Sequence, residues 1–198
     1  MAGLLAMPDE ATGDTTRRPT LVLVTGLQGT GKSTLAEAMA PTLGAPVLGW
    51  DWAMAALRPF PEVQKGLDEL DRETFRRVGW SLLWQLARAQ LRRGMSVVLD
   101  GMARDGEIAG TRALAAEVDA RSLVVMAVCD DEALQRSRID GRRRNIPGWY
   151  ELDWAHVSQS RLRWQPPSDV DLIVDTQRAL PEALARVRAA LAPSGGPT

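Results

Sequence analysis

Eight residues, Gly26-Leu-Gln-Gly-Thr-Gly-Lys-Ser33, follow directly on the continuous apolar run Leu21-Val-Leu-Val24. No other feature restricts the fold as much. An apolar, β-branched run without alternation reads as a strand buried on both faces. The octet fits G-x-x-x-x-G-K-[ST], a loop whose glycines let the backbone bend and approach an anion closely. Its N–H groups converge inward, and a helix beginning at Lys32 adds the positive end of its dipole. Gly26, Leu27, Gln28, Gly29, Thr30, Gly31, Lys32, Ser33 and Thr34 are therefore expected to bind nucleotide phosphates. Lys32 is expected on the β- and γ-phosphates, and the Ser33 hydroxyl on Mg²⁺.

The remaining pattern alternates short apolar runs with helical periodicity. Strands are expected at Ala45–Gly49, Ser96–Asp100, Ser122–Val128 and Val170–Val174. Helices are expected over Lys32–Ala40, Leu67–Arg93, Glu107–Ala120, Asp131–Asp140 and Pro181–Leu191. Strands separated by helices require right-handed crossovers, which yield a parallel sheet covered on both faces. The class is α/β, with one domain over 19–192 and extra helices between the second and third strands. Residues 1–18 read as a disordered leader and 193–198 as a flexible tail.

Composition excludes several alternatives. The chain has 198 residues, with 24 basic against 25 acidic side chains, so it is not a globally basic nucleic-acid binder. A single cysteine, Cys129, rules out an intrachain disulfide framework and a Cys-rich metal site. No apolar run approaches the ~20 residues of a membrane span, and Met1–Met7 lacks a basic signal region. A cytoplasmic location without membrane partners is expected. Only Lys32 and Lys65 are lysines, so arginine supplies almost all the positive charge. One arginine is then weak evidence of function, and a well-placed lysine is stronger.

Ligands of parallel α/β sheets bind outside the C-terminal strand ends. Two acids belong there: Asp51, just after the second strand, and Asp100, closing the third. A phosphoryl transfer needs a carboxylate to orient an attacking hydroxyl and accept its proton, the role expected of Asp51. Asp100 is expected to hold the metal or orient the acceptor. Residues 136–144 carry five arginines. Arg138 and Arg142 share a face if their helix continues past Gly141, and they suit a mobile lid over a transferring phosphate. Trp80 and Trp84 read as core. Trp50 and Trp52, and Trp149, Tyr150, Trp154 and Trp164, either line an acceptor pocket or simply pack. His156 lacks a ligand-spaced partner, and Cys129 reads as a small apolar residue.

Together these residues resemble the P-loop kinases of the AAA_33 type, which include gluconate-kinase-like and polynucleotide-kinase-like small kinases. The resemblance runs from about Thr20 to Thr176. It rests on Gly26–Ser33, Asp51, Val97–Asp100, the spaced Arg138 and Arg142, and the ending Pro166–Thr176. It implies a three-layer sandwich with strand order 2-3-1-4-5, a helical lid over about 136–160, an Asp51 base, and an adenine-side loop near Asp175 to Gln177. Two departures stand out. Met54 occupies the position where polynucleotide kinases carry an acceptor-binding arginine. Gly101–Gly110 does not match the usual acceptor loop, leaving Arg104 and Arg112 as guesses for acceptor contacts.

The expected function is an ATP- and Mg²⁺-dependent kinase, with Lys32, Asp51, Arg138 and Arg142 as its catalytic residues. Its acceptor is a hydroxyl of a small molecule: a sugar, a nucleoside or a natural product such as an antibiotic. A polynucleotide 5′-hydroxyl kinase is the near alternative, and a nucleotide-dependent switch protein the distant one. No Asn-Lys-x-Asp guanine reader occurs, which favours ATP over GTP.

Overall fold

The apolar run becomes β1 (Thr20–Thr25), and every residue of it is buried. A computed structural model describes residues 18–192; apart from Arg18, the expected leader and the tail 193–198 lie outside the described residues. The other strands are β2 (Val47–Gly49), β3 (Val97–Asp100), β4 (Arg121–Val128) and β5 (Leu172–Asp175). All pairings are parallel, in the order β2-β3-β1-β4-β5. This is the order that the resemblance implied. Leu21–Val24 can be apolar at every position because β1 is central and pairs on both edges.

Period-two alternation splits the core. Val22, Val24, Val98 and Val125 face α1 (Lys32–Leu43) and α8 (Leu180–Leu191). Leu21, Leu23, Leu99 and Val124 face α4 (Arg72–Leu91) and α5 (Asp105–Glu117). A strand buried on both faces and clad by helices on each gives three layers. Trp80 is fully buried in the second cluster, where its ring neighbours Trp84. Trp84 also donates its indole N–H to Thr111 Oγ1 at 3.1 Å, which ties α4 to α5.

The structure corrects several boundaries. The helix expected over Leu67–Arg93 corresponds to α4; its first two residues, Leu67 and Asp68, instead close a separate helix, α3 (Pro61–Asp68). Asp71 separates them because it caps α4, accepting from the backbone N–H of Glu73 and Thr74 at 2.9 and 3.0 Å. Lys32–Leu43 extends past Pro41 and stops at Gly44, whose φ of 56° is left-handed. Two further helices were absent from the sequence reading: α2 (Trp50–Ala55) and α7 (Trp154–Arg163). The chain between α6 (Glu132–Asp140) and α7 is loop, so the lid region is only partly helical.

A close interhelical contact fixes α2. Trp50 donates its indole N–H to the Arg76 carbonyl at 3.3 Å and lies against Gly79 of α4. A Cβ at Gly79 would stand 2.2 Å from Trp50 Nε1. Gly79→Ala should therefore destabilise the protein by about 1–3 kcal/mol, as overpacking does, although alanine is the better helix former. Equilibrium urea unfolding checks this; an unchanged or higher stability would contradict the packing described.

Candidate active site

Three parallel strands end together and deliver three segments to one edge. β1 leads into the phosphate loop, β3 ends at Asp100, and β2 runs through Gly49 into α2. The register pairs Asp100 with Val24 on one side and Gly49 on the other. Asp51 sits in the first turn of α2. These placements follow from strand pairing, not from local preference.

The loop is built by close backbone approach. Gly26 adopts φ 145°, and a Cβ there would fall 2.4 Å from the Ala127 carbonyl oxygen of β4. Gly31 caps α1 at φ 81° without a side-chain cap. Inside the loop, the Thr30 hydroxyl donates to the Leu27 carbonyl at 2.8 Å. Lys32 is buried. Thr25 Oγ1 accepts from the Ala103 N–H at 2.8 Å, tying the loop's start to the segment after β3.

Lys32, Ser33, Asp51 and Asp100 line one cavity of about 720 Å³. Another depression of about 740 Å³, over α4 and α5, contains none of them. Asp100 Oδ1 is buried and has no hydrogen-bond partner. The glycine cradle fits a nucleotide's phosphates, and the orphaned carboxylate oxygen fits a cation beside Ser33. Among the described residues there is no cluster of three His, Cys, Asp or Glu side chains. A cation here would draw most of its ligands from phosphate and water, as Mg²⁺ commonly does.

The arginines divide by position. Gly141 ends α6, so Arg138 and Arg142 do not share a helix face as expected. Arg138 donates to Thr176 Oγ1 at 3.0 Å and to the Thr176 carbonyl at 2.7 Å. That threonine hydroxyl also lies 2.7 Å from the Thr30 carbonyl, so Arg138 belongs to the β5 side of the loop. Arg142 lines the cavity. Burial, then repulsion from Arg144, lowers its pKa below the ordinary guanidinium value, while Asp51, Glu151 and Asp100 act in the opposite sense.

Arg144, which the sequence reading did not single out, holds Asp51. Its Nη1 pairs with Asp51 Oδ2, its Nε reaches Glu151 at 3.3 Å, and its Nη2 donates to the Tyr150 carbonyl at 2.8 Å. Glu151 also accepts from the Arg144 backbone N–H at 2.8 Å. Burial opposes ionisation of Glu151, but these bonds outweigh it and hold the carboxyl below its usual range. A second tie crosses from α6 to the loop through Gln135, which is completely buried. It donates to the Gln28 carbonyl and accepts from Arg161 of α7. One of five arginines in a basic stretch of nine residues carries no separate sequence signal. Only folding pairs Arg144 with Asp51.

The aromatic residues form a connected wall. Trp50 meets Phe75 and Trp149 edge-on at 5.6 and 6.0 Å, and Trp149 stacks on Tyr150 at 4.9 Å. Burial, then the charge of Asp51, raises the Tyr150 pKa. Trp52 and His156 also line the cavity, and both are exposed; Trp154 and Trp164 do not line it. Met54 is fully buried. Arg104 pairs with Glu73, and Arg112 spends its guanidinium on Asp169 and Asp171. Cys129 is buried, which raises its thiol pKa.

Crystal structures of bacterial proteins share this architecture. A candidate kinase from Chloroflexus aurantiacus is 25% identical with a TM-score of 0.60, over 87% of this chain and 98% of that one. A gluconokinase from Sinorhizobium meliloti is 23% identical with a TM-score of 0.58, over 88% and 97%. APS kinase of Mycobacterium tuberculosis, solved with AMPPNP and APS, is 20% identical with a TM-score of 0.60, over 88% and 98%. No curated protein matches the chain. A family model described as an AAA domain, AAA_33, matches residues 21–167, most of the chain. The glycine-rich loop and strands β2, β3 and β4 of the parallel sheet lie within the matched span, and the protein belongs to the AAA_33 family.

Proposed function

We propose that the protein is an ATP-dependent kinase that transfers the γ-phosphoryl group to a hydroxyl of a small molecule. One observation carries this reading: the phosphate loop, Asp51 and Asp100 open onto a single cavity. The kinase names borne by the neighbouring structures support it.

The roles follow from position. The loop N–H groups and Lys32 hold the β- and γ-phosphates, and the α1 N-terminus adds its dipole. Ser33 and Asp100 would hold Mg²⁺, which neutralises phosphate charge when bound. Asp51 orients the acceptor hydroxyl, whose oxygen forms a bond to the γ-phosphorus as the bond to the ADP oxygen breaks. Asp51 takes the hydroxyl proton. Arg142, in the field of both Asp51 and Asp100, offsets charge developing on the transferring group. Arg138, bonded to Thr176, serves the nucleotide side of the loop. Arg144 leaves Asp51 one oxygen for the acceptor while holding the other.

A small acceptor is favoured over a polynucleotide end because residue 54 is a buried methionine and offers no cation. A switch protein that phosphorylates nothing would not need Asp51. Two outcomes test the assignment. Asp51→Asn should lower acceptor-dependent ADP release by at least about 100-fold, the usual worth of a positioned base, while ATP affinity measured by calorimetry stays within about threefold. Unchanged turnover would remove the base role. Arg144→Gln should lower kcat with acceptor by about 10- to 100-fold, because misplacing a catalytic group is costly, and should leave ATP affinity nearly unchanged. Steady-state kinetics with the acceptor and calorimetry with ATP separate the two effects.

A further inference from the structure

Arginine is common in this chain, so the informative property is pairing. Acids answer several of the arginines: Arg88 and Arg92 share Glu117, Arg112 takes Asp169 and Asp171, and Arg76, which lines the cavity, takes Glu107. Four others at the cavity have no such partner. Arg72 at the start of α4, Arg142 and Arg143 in the loop after α6, and Arg163 at the end of α7 all line it. Among the described residues, none of these four takes part in an ion pair. Arg58 lies over the rings of Trp149 and Tyr150, at 4.8 and 5.6 Å, and not beside an acid.

The acids of the same cavity do not balance this charge. They are Asp51, already paired with Arg144, Asp100 beside the phosphate loop, and Glu37 of α1. A nucleotide's phosphates are met by the loop amides and Lys32. Arg142 serves the transferring group in the reading above. Arg72, Arg143 and Arg163 remain. Arg72 and Arg143 line the cavity together with Asp51, Trp50 and Trp149. These cations come from separate segments of the chain, so folding brings them together against their mutual repulsion. A bound anion removes that cost, and guanidinium groups suit carboxylate and phosphate geometry.

We propose that the acceptor is itself an anion. It is a hydroxyl compound whose carboxylate or phosphate group is held by Arg72 and Arg143, with its carbon framework against Trp50 and Trp149. This rests on the kinase reading and narrows its acceptor class, setting neutral sugars and nucleosides aside.

Calorimetry on the full chain loaded with Mg²⁺ and AMPPNP tests it with three matched phenols: 4-hydroxybenzoate, 4-hydroxyphenyl phosphate and the neutral 4-hydroxybenzamide. At least one anion should bind about tenfold or more tightly than the amide, the scale of one charge-assisted hydrogen-bond set, and the tighter anion identifies the group. In the Arg72→Gln/Arg143→Gln double variant, both at exposed positions, that preference should shrink to within about twofold. Equal binding of the amide, no saturable heat from either anion, or a preference that survives the double substitution overturns the proposal. Failure of AMPPNP itself to bind would instead remove the kinase reading, and this inference with it.

Discussion

The parallel pairing of β1 with β3 on one edge and β4 on the other is the constraint from which the site follows. A six-residue strand buried along its whole length cannot slide by one position without turning each apolar face toward the wrong helix layer. Its register is therefore set by packing. Once Val24 lies beside Asp100, and Asp100 beside Gly49, the phosphate loop, Asp100 and the start of α2 share one edge. The backbone of the loop then passes so close to Ala127 that Gly26 has no room for a side chain. The anion cradle is thus packed against the sheet it grows from.

The segment from α6 to α7 is joined to this edge at separate points by polar ties. Gln135 bonds the loop backbone, Arg138 bonds the threonine that touches Thr30, and Arg144 bonds Asp51. Buried polar groups cost free energy unless they are satisfied, so each tie favours one placement of that segment over its neighbours. Arg144 shows the economy of the arrangement. Its guanidinium meets a carboxylate of α2, a carboxylate of its own loop and a backbone carbonyl. Planar, five-donor geometry makes this possible, and a lysine could not reproduce it.

Local chemistry made much of this legible. The glycines and Lys32 identified the loop because no other residues permit that backbone and that charge together. Strand positions came through because β-branched runs bounded by helical periodicity leave few readings. Asp71 was a readable helix cap, yet the periodic leucines on either side hid the break between α3 and α4. α2 escaped because Trp-Asp-Trp-Ala-Met-Ala has too few turns to show a period, and its stability comes from Trp50 packed against Gly79. Arg104 and Arg112 illustrate the converse: a basic residue near the right strand is open to an acceptor role in sequence, and only the fold places Glu73 beside the first and Asp169 and Asp171 beside the second.

By itself the sequence determined the α/β class, the phosphate loop and the two acids at strand ends. Each of these depends on residues adjacent in the chain, where backbone conformation and hydrophobic period are written locally. Only the tertiary structure decided that Arg144 holds Asp51, that Arg138 turns to Thr176, and that unpaired arginines from separate segments gather beside an aromatic wall. Those facts are distances between residues far apart in sequence. Charge and ring interactions act through space, so no reading of spacing along the chain could supply them.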